Sequence, residues 1–362
     1  MTAYIIAARR SAVIPRGGAF ARLSIEDLAV PVLLACLADA GIDPGQVDEV
    51  IVANALGPGG NPARRIALAS GLPDRVAGLT IDRQCAGGLD AILLARAMID
   101  AGMAEVVIAG GVESYSRRVL RLATDPDGGA PLPYDEAPFT PWPDRDPGMA
   151  EAAAALAERL DISRGAQDAF AIESHAKARN AGLLPDIVPI RGQQVDAFAR
   201  DLSPALAARA SVIAGTITHA NAAVAADGAA FAMVVSERIA RNAARALRLG
   251  PGRTRGGDPV QPGLAPVAAI ADVLGRAGLA APDLATAEIM EAYAVQAIAC
   301  QRGAGLDPAR VNIHGGALAR GHPIGASGAI LAVRLYHGLT TGTGLAAIAS
   351  AGGIGTALLL EG

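Results

Sequence analysis

Two periods of apolar spacing alternate along the chain. The opening AYIIAA has the short apolar run of a buried strand, residues 24–40 repeat at helical spacing, and residues 50–55 return to a strand. Ser24, followed three residues on by Asp27, marks a helix start, and Gly41 marks its stop. A helix over 62–70, a strand at 79–82, a helix over 86–101 and a buried strand at 105–111 continue the series. Such alternation predicts a parallel or mixed sheet with helices on its faces. From 112 to about 225 it breaks off into a Pro- and Gly-rich stretch and two helical patterns, 149–160 and 163–181. It resumes at 227–237. The most apolar stretch, Leu345 to Leu360, is interrupted by Ser350, Thr356 and glycines, so it predicts two buried strands around a glycine turn rather than a membrane-spanning helix.

The second half echoes the first. AGIDPGQVDEVIVANAL (40–56) matches AGLAAPDLATAEIMEAYA (277–294), and CAGGLDAILLARAMIDAGMAEVVIAGG (85–111) matches GASGAILAVRLYHGLTTGTGLAAIASAGG (325–353). Two similar α/β units related by internal duplication, with an excursion leaving the first, follow from this echo.

Composition narrows the function. Of 362 residues, 52% are hydrophobic and 18% charged, which excludes disorder and points to extensive burial. The net charge of −4 and scattered arginines leave no basic stripe for nucleic acid. The opening residues lack a secretory h-region, so a cytoplasmic location is expected, with no membrane span. Cys36, Cys85 and Cys300 are odd in number and have no CxxC spacing, which excludes a disulfide framework and a thiolate zinc site. The single lysine, Lys177, lies in a helical pattern without a phosphate loop, so neither a P-loop nor a pyridoxal Schiff base is expected. No permanent cofactor is implied.

The sharpest chemistry sits in TIDRQCAGGLDA, which puts Cys85 between a strand end and the first turn of a helix. Unpaired N–H groups and the positive helix end there are expected to lower the thiol pKa, which makes Cys85 a candidate nucleophile. Cys36 and Cys300, inside apolar runs, read as buried small hydrophobes. In NIHGGALARGHPIGASGA, closely spaced glycines surround His314 and His322, and the internal echo brings His322 near the place of Cys85. A cysteine and a histidine from two related halves form a nucleophile and base. Gly325, Ala326, Ser327 and His314 are the expected substrate contacts, and the loop Ser350, Ala351, Gly352 and Gly353 is an expected source of oxyanion N–H groups. His175, His219 and His337 have no ligand-spaced partners, so no metal site is expected. Arg117, Arg118 and Arg121 form a small basic cluster able to meet a phosphate-bearing carrier, although such clusters are more often simply solvated.

In VDEVIVANALGPGGNPAR (47–64), LTIDRQCAGGLDA (79–91), VVIAGGVES (106–114) and VNIHGGALARGHPIGASGA (311–329) the chain resembles the thiolase family, and weaker matches extend the likeness over nearly its whole length. The resemblance implies a five-layered αβαβα fold of two duplicated halves with an inserted loop domain. On this chain the halves fall at 1–115 with 226–240 and at 241–362, and the covering loop domain at 116–225. It implies a dimer or tetramer and ping-pong acyl transfer between thioesters, usually of coenzyme A. Cys85 takes the place of the acyl-accepting nucleophile and His322 that of its activating histidine.

Three departures qualify the resemblance. Where thiolases have Asn-Glu-Ala-Phe, this chain has Met290-Glu291-Ala292-Tyr293, and Met cannot donate the hydrogen bond of that Asn. At the family's second cysteine an ungapped match gives Ala349, and a one-residue gap gives Ser350; neither replaces a thiolate base. Between IVPI and LSPAL only RGQQVDAFARD stands where the family carries a longer coenzyme-binding segment, so an acyl carrier protein competes with coenzyme A as donor. Three readings remain: an acyltransferase with reduced or altered Claisen chemistry, a conventional acetyl-CoA C-acetyltransferase or 3-ketoacyl-CoA thiolase, and a non-catalytic scaffold subunit.

Overall fold

The computed structural model describes residues 2–362. The first half contributes strands β1 (Ala3–Ser11), β2 (Glu49–Ala53), β3 (Leu79–Ile81), β4 (Val106–Ser114) and β5 (Ala226–Ser236). The second contributes β6 (Leu247–Gly256), β7 (Leu284–Ile289), β8 (Thr343–Ser350) and β9 (Ile354–Glu361). They form one curled mixed sheet in the order β7-β8-β9-β6-β1-β5-β4-β2-β3, with two short flanking strands. The halves meet where β1 and β6 pair antiparallel through Tyr4 with Arg248 and Ile5 with Leu247.

Outward from that seam the two halves repeat each other. In the first, β1 pairs antiparallel with β5, β5 antiparallel with β4, and β4 parallel with β2. In the second, β6 pairs antiparallel with β9, β9 antiparallel with β8, and β8 parallel with β7. The duplication seen in the sequence is thus one of topology.

Strand alternation sorts the core into layers. Val107, Ala109 and Val234 turn inward to the central helices α3 (Gly87–Asp100) and α8 (Ile324–Gly338), while Val106, Ile108 and Val235 turn outward to α1 (Ile25–Ala40) and α2 (Pro62–Ala69). In the second half Ala346, Ile348 and Leu358 face the centre, whereas Leu345, Ala347 and Leu359 face α6 (Ala265–Ala277) and α7 (Ala294–Ala304). Helix, sheet, helix, sheet, helix: five layers result.

The caps read from sequence are present. Ser24 and Asp27 form a reciprocal capping box, and Gly41 ends α1 at φ 62°. Leu345 to Leu360 forms the hairpin of β8 and β9, turned by Gly352 and Gly353 at φ 73° and 75°. Within the excursion, α4 (Met149–Arg159) and α5 (Arg164–Asn180) form where helical spacing places them. Its Pro- and Gly-rich stretch also holds a small hairpin, Arg121–Ala123 with Leu132–Tyr134, that the apolar pattern does not signal.

The two central helices approach almost to backbone contact. A Cβ added at Gly88 would lie 2.6 Å from Ala329 N, and one added at Gly328 would lie 2.5 Å from Leu89 N. These glycines are equivalent in the internal repeat, so each half provides the missing side chain that admits the other. Gly88→Val is expected to cost about 1–3 kcal/mol or to prevent folding, because a backbone atom cannot give way as a side-chain tip can. Urea unfolding measures it; unchanged stability would contradict the crossing.

Candidate active site

Cys85 stands where β3 gives way to α3. Asp82 accepts hydrogen bonds from the Gln84 backbone (2.8 Å) and its side-chain Nε2 (3.0 Å), and holds Gln84 at φ 47°. A left-handed non-glycine residue is strained, and here the strain aims the next side chain. A 3-10 turn over Gln84–Ala86 then presents Cys85 at the N-terminal end of α3.

His322 arrives from the other half, between Gly321 at φ 108° and the start of α8. Its backbone N–H donates to Val224 O at 2.7 Å, which ties it to the segment entering β5. Its Nε2 lies 3.1 Å from Cys85 Sγ and its Nδ1 lies 2.6 Å from Ser327 Oγ. The Ser327 hydroxyl donates to Pro323 O at 3.0 Å, so it accepts from Nδ1–H. That chain of bonds fixes the tautomer and leaves the Nε2 lone pair facing the sulfur.

The helix end does not dominate the thiol. Cys85 and His322 are half-buried in the wall of a cavity, and burial pushes the thiol up and the imidazole down. The nearby Glu113 carboxyl raises the thiol further, while backbone N–H groups of Cys85 and Ala351 at the sulfur oppose the shift. The expectation of a lowered thiol pKa is therefore corrected: desolvation outweighs the dipole and shifts both groups toward their neutral forms.

Glu113, itself pushed up to about 7 by burial, braces this geometry. It accepts from Asn54 Nδ2 (2.9 Å), Ala55 N (3.1 Å), Leu56 N (3.2 Å) and Gly325 N (3.0 Å), binding the loop after β2 to the start of α8. Neither Glu113 nor Asn54 stood out in the sequence. VVIAGGVES places the carboxyl at a strand end, but nothing local shows that its partners come from both halves.

A cavity of about 420 Å³ opens over the pair. Its wall includes Tyr115, Arg118, Arg121, Glu136, Phe139, Met149, Ala152, Ala153, Leu156, Tyr293, Gln296, Ala349, Ser350 and Ala351. Of the expected oxyanion loop, Ser350 and Ala351 reach the wall, while Gly352 and Gly353 pack behind it against Phe139 and Asp258. Gly325, Ala326, Ser327 and His314 do not line it: Gly325 binds Glu113, Ala326 is in the core, Ser327 anchors His322, and His314 lies beside Arg334 and Glu288. Of the basic cluster, Arg118 and Arg121 reach the wall; Arg118 pairs with Asp135, and Arg117 donates instead to Arg22 O. Cys36 and Cys300 are fully enclosed, with thiols pushed up to about 12. Gln296 was not singled out from sequence, and Tyr293 entered there only in the place of the family's Phe.

At the family's altered positions, Met290 is buried in the central core and does not reach the cavity, whereas Ala349 does. Ser350 donates its hydroxyl proton to Arg83 O at 3.0 Å, clamping the end of β8 to the turn that carries Cys85. Among the described residues no three His, Cys, Asp or Glu side chains converge as metal ligands, and no helix is long and apolar enough to cross a membrane.

Comparison with known proteins agrees with this arrangement. Residues 3–238 match the model of the thiolase N-terminal domain and residues 247–362 that of the thiolase C-terminal domain. VraB of Staphylococcus aureus (strain COL), provisionally named an acetyl-CoA C-acetyltransferase, is 36% identical over 380 residues, covering 99% of this chain and 98% of its own. YhfS of Bacillus subtilis (strain 168), named in the same way, is 39% identical over 100% and 99%. The crystal structure of the Bacillus anthracis acetyl-CoA acetyltransferase superposes with a TM-score of 0.91 at 35% identity, covering 99% of this chain and 98% of that one. Human mitochondrial 3-ketoacyl-CoA thiolase in complex with CoA gives 0.92 at 31% identity over the same shares. The chain belongs to the thiolase family, whose members are acyltransferases.

A neutral resting pair has a measurable signature. Because the folded thiol titrates above its ordinary value, the rate of Cys85 alkylation by iodoacetamide should keep rising with pH past 9, with no plateau near neutrality. At pH 7 it should fall several-fold in Ser327→Ala, which leaves Nδ1–H without its acceptor, and further in His322→Ala. A plateau below pH 7, or His322→Ala alkylating like the wild type, would contradict this.

Proposed function

We propose that this protein carries acyl groups on Cys85 and passes them to a second substrate, with Claisen chemistry reduced or altered relative to other thiolases. One observation supports the reading above the rest: the 3.1 Å contact of Cys85 Sγ with the bare Nε2 of His322. As Sγ attacks the donor carbonyl carbon, its proton passes to Nε2. The carbonyl oxygen, now anionic, takes N–H groups of Cys85 and Ala351. Collapse breaks the donor C–S bond, and the His322 proton goes to the departing thiolate. The products are acyl-Cys85 and a free thiol.

The donor is a thioester of coenzyme A or of an acyl carrier protein, and no cofactor stays bound. A neighbour with CoA bound and the arginines near the cavity support the former. The short segment after Ile190 leaves room for the latter: Asp196 is held by buried Arg10 and by Val13 N, and Phe198 packs on His175.

At the position of the family's second cysteine the second half-reaction lacks a base for carbon acids. Ala349 has no acidic proton, Ser350 is committed to Arg83 O, and Met290 lies out of reach. The acceptors are those already nucleophilic: a thiol, an amine, water or an activated carbon. The names of the relatives favour a second reading, a conventional acetyl-CoA C-acetyltransferase. The singly paired edge strand β3, with Leu79 exposed, supports assembly into a homodimer, and a free acyl-accepting thiol suits the cytoplasm.

Intact mass after incubation with acetyl-CoA, longer acyl-CoAs and carrier-bound acyl groups tests the proposal. An acyl adduct is expected, absent from Cys85→Ala and formed about 10²–10⁴-fold more slowly by His322→Ala. No adduct from any donor would leave a scaffold subunit. Acetoacetyl-CoA cleavage by free coenzyme A separates the two enzyme readings: weak activity rising at least about tenfold in Ala349→Cys supports altered chemistry, whereas brisk wild-type cleavage supports the conventional enzyme.

A further inference from the structure

Two side chains of the cavity wall carry hydrogen-bond donors that have no partner among the described residues. Gln296, in the first turn of α7, accepts from Ala292 N through Oε1 at 3.1 Å, which orients its amide. Its Nε2 is buried and unpaired, although the side chain is only 3% exposed. From α4 the cavity wall receives Met149, Ala152, Ala153 and Leu156, none of which offers it an acceptor oxygen. A Cβ at Gly263 would meet Leu156 Cδ2 at 2.9 Å and Gln296 Cγ at 3.4 Å, so close packing holds the glutamine in place.

The second donor is Tyr293, one turn earlier, where the resemblance leads one to expect Phe. Its phenol lines the same cavity, and no hydrogen bond to its hydroxyl exists among the described residues. Burial, with Cys85 and the carboxyls of Glu136 and Glu151 adding to it, pushes its pKa up, so the hydroxyl keeps its proton at every physiological pH. A buried donor left unmade is costly, and of the two the Gln296 Nε2 is the buried one, while the Tyr293 side chain is half-buried in the cavity wall, with its hydroxyl open to an acceptor on a bound acyl chain.

We propose that Tyr293 Oη–H and Gln296 Nε2–H together receive a neutral oxygen carried on the acyl chain, so that the enzyme selects hydroxylated or alkoxylated acyl groups over alkyl ones. The neutrality follows from the donors. Glu136 shares the cavity wall with Arg118, which is paired with Asp135, and Arg121, which donates to Ala55 O, while the two free donors, an amide and a phenol, are uncharged and match an uncharged acceptor. The inference rests on acylation of Cys85 and deepens it by naming the substrate class. The blander role of Gln296, capping α7 through Oε1, uses only its acceptor and leaves the donor unexplained.

The test measures Cys85 acylation rates by intact mass for two shape-matched pairs, 3-hydroxybutyryl-CoA against 3-methylbutyryl-CoA and 4-methoxybutyryl-CoA against hexanoyl-CoA. In the wild type the oxygenated donor should react at least about tenfold faster in one pair, the discrimination expected when a site's buried donors are left unpaired by the analogue. That ratio should fall toward one both in Tyr293→Phe, which restores the family's ring, and in Gln296→Met. Gln296→Glu keeps the acceptor for Ala292 N and serves as the folding control, and it should lower the ratio as well. Wild-type ratios at or below one in both pairs would overturn the proposal while leaving acylation intact, and so would a ratio that either Tyr293→Phe or Gln296→Met leaves unchanged. Equal slowing of both members of a pair would also overturn it, since the donors would then serve the part common to all thioesters. Absence of any Cys85 adduct would end the acylation reading and this one together.

Discussion

The crossing of α3 and α8 at Gly88 and Gly328 is the constraint on which the site depends. Cys85 lies three residues before one glycine and His322 six residues before the other. Only because the two backbones meet without intervening side chains does a sulfur from one half come within 3.1 Å of an imidazole from the other. Glu113 then locks the same junction, since all its donors come from the loop after β2 and the start of α8. The fold therefore brings the pair together by helix packing, and the Asp82–Gln84 turn, the loop after β2 and the segment entering β5 hold it in place.

Packing that tightly also sets the chemistry. A nucleophile enclosed at the crossing of two helices loses the water that would solvate a thiolate, and the imidazole loses what would solvate its cation. Both shifts favour the proton on sulfur, from which the proposed acylation would take it as the new bond forms. Backbone N–H groups of Cys85 and Ala351 stand at the same sulfur, where the proposed acylation would develop negative charge on a carbonyl oxygen. Where the family carries its second cysteine the cavity wall has Ala349, and the neighbouring Ser350 hydroxyl is committed to Arg83 O.

Much of the architecture was legible in the sequence because it is written in local signals. Ser24, Asp27 and Gly41 bound α1 by capping chemistry, and apolar runs gave the strands of both repeats. The repeat itself placed His322 near Cys85. What stayed hidden depends on which faces meet. The direction of the Cys85 shift reverses because burial is a tertiary property. Gly325, Ala326 and Ser327 resemble a binding loop in sequence, yet they begin a helix that turns its first residues to Glu113, to the core and to His322. Tyr293 and Gln296 acquire meaning only through the acceptor-free wall of α4, and the hairpin at 121–134 has no apolar period to announce it.

The protonation state of His322 at rest tests the central claim most directly. With imidazole nitrogens labelled by ¹⁵N, and His322 assigned by its loss in His322→Gln, NMR at pH 7–8 reads both ring nitrogens. The account predicts a protonated Nδ1 and a bare Nε2, the tautomer dictated by Ser327 and Pro323. Two protonated nitrogens at neutral pH would mean a preformed thiolate–imidazolium pair and would contradict it.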